Sequence, residues 1–211
     1  QIALSTAREI PTADVDEALA AELDRATPER GALIIGVMAD RPETVDLSVV
    51  LKAAGPGPKP VRIAAISALG RVGNETCLSS LLEAGLDADA EVAQSARDAL
   101  AVLPGDKVNQ DIESRLLHAH QEMYRLLIEV IGLRRIEAVA ALVKALDHSD
   151  KGIRTAALTS LGSTVTPKSL NVLIDQAVAP KQANDTEGAV AALRTASMPM
   201  PARDPGASDL S

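Results

Sequence analysis

Three histidines and a single cysteine are the residues of this chain best suited to hold a metal ion or attack a substrate. His118, His120 and Glu122 fall together in "HAHQE" (118–122), a set of donors that suits zinc. On a helix His118 and Glu122 share a face at i, i+4 while His120 points elsewhere, and no fourth ligand stands nearby. Two donors on one face make no closed site, so the segment is expected to be an exposed junction that holds no metal. His148, in "DHSD" (147–150), is expected in a loop beside helix ends. Cys77 lies one before Leu78 and four before Leu81, which places its thiol on the buried side of a helix, where it is inert without a paired histidine. The glycines and lysine of "AAGPGPKP" (53–60) follow no strand, and its prolines lack the N–H donors that cradle a phosphate. Tyr124 is the only aromatic residue; alone it builds no platform for stacked bases. No catalytic residue, metal or cofactor is expected.

The elements that carry these residues must be built almost without aromatic side chains. Trp and Phe are absent, so the core falls to Ala, Leu, Val and Ile, which suits closely packed helices better than a sandwich or barrel. Lys and Arg total 21 against 29 Asp and Glu, a net charge of −8. That balance disfavours a partner bound through its phosphates, whether nucleic acid or anionic lipid, and no apolar run of the length needed to span a bilayer occurs.

The chain repeats a phrase. "VRIAAISALGRVG" (61–73) and "IRTAALTSLGSTV" (153–165) belong to a series of copies starting at 30, 61, 92, 123, 153 and 185. Their fifth residues are Ile34, Ala65, Ala96, Leu127, Ala157 and Ala189, and their ninth are Met38, Leu69, Leu100, Ile131, Leu161 and Leu193. Five and nine stack on one helical face, so each copy opens with an amphipathic helix. A second apolar stripe follows in "LSVVLKAA" (47–54), "CLSSLLEAG" (77–85), "IEAVAALVKAL" (136–146) and "SLNVLIDQAV" (169–178). Turn residues separate the two in "RVGNE" (71–75), "PGDK" (104–107) and "DHSDKG" (147–152). Neither helix of such a pair can bury its stripe alone, so neighbours must stack. The expected fold is all-α, an α-solenoid of about six two-helix units.

These copies resemble the short HEAT-like repeat, the form also found in bilin-lyase-type proteins. The pattern is complete in Asp150, Ile153, Arg154, Ala156, Ala157, Leu161 and Gly162. The unit at 92–122 departs from it with Ala93 in place of Arg and Ala101 in place of Gly, and the unit at 123–152 has Tyr124 in place of Arg. Both departures put in doubt the ties that Arg and Asp would make between loops. The resemblance implies a scaffold whose second helices line a concave, partner-binding face. Its outward residues here are Glu75, Ser79, Glu83, Glu137, Lys144, Lys168, Asn171 and Asp175, a mixed set that suits a protein or peptide partner, or an adjacent domain of the same polypeptide, better than a polyanion. HEAT-like metal hydroxylases carry repeated His-Glu pairs, and no His here is followed by Glu. Similar repeats occur in bacterial proteins as scaffolds beside catalytic or haem domains.

Residues 1–29 are expected to be a partial repeat whose helix "DVDEALAAELDRA" (14–26) is capped by Thr12 or Asp14, residues 30–197 the array, and residues 198–211 an irregular tail stopped by Pro199, Pro201 and Pro205. Neither end offers a polar cap, and the chain starts at Gln1, so a segment of a larger protein is expected. The leading expectation is a non-catalytic protein-binding or scaffold module. A small-molecule lyase or chaperone of the bilin-lyase type is the alternative, and nucleic-acid binding ranks third.

Overall fold

The short apolar stripes become helices because each is punctuated by residues that satisfy its ends. A computed structural model describes residues 13–164, 166–180, 182 and 185–197; Thr12 and the tail 198–211 lie outside them. Among the described residues there are twelve α-helices, one 3-10 turn and no strand. The first eight helices are α1 (Ala13–Leu23), α2 (Pro28–Ala39), α3 (Leu47–Ala54), α4 (Lys59–Val72), α5 (Leu78–Ala84), α6 (Ala90–Val102), α7 (Val108–Leu116) and α8 (Gln121–Arg134). The remaining four are α9 (Val139–Ala145), α10 (Lys151–Ser163), α11 (Pro167–Val178) and α12 (Thr186–Ser197). The 3-10 turn Glu75–Cys77 leads into α5.

Aspartate and threonine caps start α2, α3, α6, α10 and α11. Asp46 accepts from the Ser48 amide at 2.8 Å, Asp89 from Glu91 at 2.9 Å and Asp150 from Ile153 at 2.9 Å. Thr166 and Ser169 exchange hydrogen bonds in a capping box ahead of α11, whose first residue is Pro167. Asp14, expected as a cap, instead sits in the first turn of α1, because that helix already begins at Ala13.

The chain forms two compact units, Gln1–Ala138 and Val139–Ser211. In the first, α2, α4, α6 and α8 pack each on the next as one layer, and α3 and α5 pack behind them as a second. In the second, α10 packs on α12, with α9 and α11 against α10. The connections are short, so consecutive helices run antiparallel. The repeated apolar positions are the core: Ile34, Ala65, Ala96, Leu127, Ala157 and Ala189 are wholly buried, as are Met38, Leu69, Leu100, Ile131 and Leu161. Leu193, the ninth residue of the last copy, is half-buried.

Two expectations change. The "HAHQE" segment is not helical throughout: α7 stops at Leu116 and α8 starts at Gln121, so His118 and Glu122 do not share a helix face. The stripe expected over 136–146 becomes helical only at Val139, since Arg135 ends α8 in the left-handed region at φ 56° and Ile136 to Ala138 run as a connection. A second helix not expected in the 92–122 unit, α7, forms over its polar stretch by burying Val108, Ile112 and Leu116 at i, i+4, i+8.

Candidate functional site: the second-helix surface

The surface carried by the second helices is held in place by arginines that reach from one repeat to the next. Arg154, on α10, is buried and forks onto Asp185, with Nε and Nη2 donating at 2.8 and 3.3 Å; its Nη1 donates to the carbonyls of His148 and Ser149. Arg62, the equivalent residue of α4, donates to Asp87 at 2.6 Å. The hydrogen bonds that Arg154 donates to Asp185 hold its pKa above the ordinary range, and the one that Asp87 accepts from Arg62 holds the carboxyl below its own, since each pairing favours the charged form. Arg41 forks onto Asp16 with Nε and Nη2 at 2.9 and 3.1 Å, both side chains buried.

The two units that lack this arginine are tied by others. Ala93 is buried, and from the next turn Arg97 donates to Glu129 of α8 at 3.1 Å. Arg134 reaches back from the end of α8 to the carbonyls of Leu100 and Leu103 at 2.7 and 3.1 Å and to Asn109 at 2.7 Å. Burial lowers its pKa below the usual arginine range. Arg71 ties α4 to Asp40 at 2.7 Å in the same manner. Tyr124 is half-buried, and burial raises its hydroxyl pKa.

On this frame all eight residues expected on the binding face are exposed. Their elements differ from expectation at two places: Glu75 stands on the 3-10 turn rather than on α5, and Glu137 lies in the connection before α9. Ser79 and Glu83 share α5 at i, i+4, and Ser79 accepts from Arg115 of α7 at 3.0 Å. Lys144 is on α9; Lys168, Asn171 and Asp175 are on α11 at i, i+3, i+7, one face of the helix.

In the first unit two clefts open beside these helices. The second helices α3 and α5 have 8 and 7 residues, against 12, 14 and 13 in α2, α4 and α6. A cleft of about 450 Å3 lies between α1 and α3, walled by Ala20, Leu23, Pro28, Val49, Ala53 and Val61. A second, of about 400 Å3, lies between α3 and α5 and meets Leu51, Ala54, Arg62, Ser80, Glu83 and Asp87. Only Glu83 of these was expected at the site; Arg62 carried a signal as part of the repeated phrase at 61–73, whereas cleft depth depends on packing between helices and has none.

The residues suspected of chemistry stay apart from this surface. Cys77 is fully buried, and His118, His120 and His148 are exposed. His148 Nδ1 accepts from the Asp150 amide at 3.0 Å, a loop contact beside helix ends. No group of three His, Cys, Asp or Glu able to hold a metal occurs among the described residues, and no described helix is long and apolar enough to cross a membrane.

A family model of HEAT repeats matches residues 110–194, and one of the PBS lyase HEAT-like repeat matches residues 61–84. The chain carries HEAT-like repeats. No curated protein sequence matches it. Eighteen chains of solved structures do, among them human deoxyhypusine hydroxylase in complex with glycerol, at 17% identity over 92% of this chain and 88% of that one with a TM-score of 0.42.

Proposed function

We propose that this HEAT-like repeat chain is a non-catalytic binding scaffold that presents its second-helix surface to a protein or peptide partner. The observation that carries the reading is the exposure of Glu75, Ser79, Glu83 and Glu137 in the first unit and of Lys144, Lys168, Asn171 and Asp175 in the second, with arginines such as Arg62, Arg97 and Arg154 tying one repeat to the next within each unit. Affinity on such a surface comes from many modest contacts spread over several helices. The repeat array is placed over residues 30–197, with a partial repeat before it.

The test is retention of protein from a lysate of the source by the immobilised chain and by a triple variant, Glu83→Lys, Lys144→Glu and Asp175→Lys. A protein held by the first and lost from the second, with circular dichroism unchanged, is the expected result. Equal retention by both would remove these residues from the site. Loss caused by Cys77→Ala or His118→Ala alone would point instead to a catalytic or metal-dependent activity.

A further inference from the structure

The net charge of the chain is not shared between its two units. Residues 1–138 contain 14 Lys and Arg against 22 Asp and Glu, while residues 139–211 contain 7 of each. The whole excess of negative charge thus belongs to the unit that also holds the two clefts.

Both clefts are made by one helix. Val49, Lys52 and Ala53 of α3, at i, i+3, i+4, border the cleft towards α1, and Leu51, Ala54 and Gly55, at the same spacing, border the one towards α5. Pro56 borders both. The glycine-proline segment that follows α3 therefore serves as a shared rim, and its prolines remove backbone donors that would otherwise need partners there. Most of the first cleft is aliphatic and proline carbon, with Asp24 and Lys52 paired at 3.7 Å on its edge. The second cleft has one cation and two carboxylates. Arg62 donates to Asp87 through Nη2 while its buried Nε has no hydrogen-bond partner, and Glu83 has no ion pair among the described residues. An apolar slot beside an unpaired carboxylate, in a unit of net charge −8, fits an aliphatic side chain beside a cation.

We propose that the clefts flanking α3 take a short extended peptide, one aliphatic side chain entering the α1–α3 cleft and one arginine or lysine pairing with Glu83. This rests on the second-helix surface being the binding surface and names the chemistry of its partner. Neighbouring packed helices stand about 8–10 Å apart, and an extended chain advances about 3.3 Å per residue. Side chains of an extended chain alternate faces, so the aliphatic and basic residues are two positions apart, the even spacing closest to that distance once the reach of the basic side chain is added. The long-range field of the acidic unit speeds the encounter, and added salt weakens it.

The test uses the full chain and two fluorescein-labelled octapeptide libraries, each with Leu fixed and either Arg or Glu fixed two positions later, and every other position uncharged. Fluorescence anisotropy is expected to show the Leu/Arg library binding at least ten-fold more tightly than the Leu/Glu library. The Glu83→Lys variant should cut that ratio below three-fold, and Ala53→Leu, which fills the apolar cleft, should weaken the Leu/Arg library. Equal binding of the two libraries, binding by neither, or an Arg preference that survives Glu83→Lys overturns the inference. A lysate partner lost with Lys144→Glu or Asp175→Lys but retained by Glu83→Lys would leave the second-helix surface standing and remove only this docking site.

Discussion

Arg154 shows how much one side chain does in this chain. It occupies four of its donor bonds at once, two to Asp185 and two to carbonyls of the preceding loop. Replacing it with Met would leave the buried Asp185 carboxylate and both carbonyls without those donors, and we expect Arg154→Met to lower unfolding free energy by about 3 kcal/mol. Arg115→Ala, which breaks only an exposed i, i+4 pair with Asp111 and a bond to Ser79, should cost under about 1 kcal/mol. Urea titration of the two variants measures the difference, and equal losses would deny the buried tie its role. The Asp16 pair adds a pH signature. Burial alone would raise the Asp16 pKa, but hydrogen bonds from Arg41 and Thr44 and the charge of Arg41 carry it below its ordinary value. A folded-state pKa under the unfolded value of about 3.9 contributes stability that is present above that pH and lost as pH falls through the depressed value. Urea midpoints should thus drop below about pH 4, and Asp16→Asn, weaker than wild type at pH 7, should converge with it in acid.

At the scale of the helix, the glycine of the Leu-Gly pair sets the spacing of the stack. A Cβ on Gly70 would lie 2.7 Å from Ala99 Cα, and one on Gly162 would lie 2.7 Å from the Ala192 carbonyl oxygen, so in both places the next helix approaches to backbone contact. Gly36, in α2, has nothing within 4 Å of that position. Alanine favours a helix interior over glycine by about 1 kcal/mol, so Gly36→Ala should stabilise, whereas overpacking at Gly70→Ala should outweigh that gain and destabilise by about 1–2 kcal/mol. Thermal unfolding of the pair reads the sign directly. These helices were legible in the sequence because the fifth and ninth residues repeat. What escaped was decided by tertiary packing: α7 is polar along most of its length and survives on three buried side chains, and the break at Arg135 depends on a left-handed residue that is not glycine. The close-approach role of Gly70 was visible only as a conserved phrase within the chain, not as a distance.

Over the whole molecule, repetition specifies a stack and says nothing of where a partner would rest. Exposure of Ser79, Glu83, Lys144, Lys168, Asn171 and Asp175 followed from helical phase, since residues off the apolar stripe must face outward, whereas Glu75 and Glu137 stand on a turn and a connection. The clefts beside α3 did not, because they depend on how neighbouring helices pack. The lysines offer a direct way to separate the surfaces: Lys52, Lys144 and Lys168 lie on second helices, while Lys59 and Lys151 lie on first helices. The measurement that bears most directly on the binding-scaffold account is amine cross-linking of the chain in a lysate of its source, followed by mass spectrometry of the linked lysines. The account predicts partner cross-links concentrated on Lys52, Lys144 and Lys168. Cross-links concentrated on Lys59 and Lys151 would contradict it.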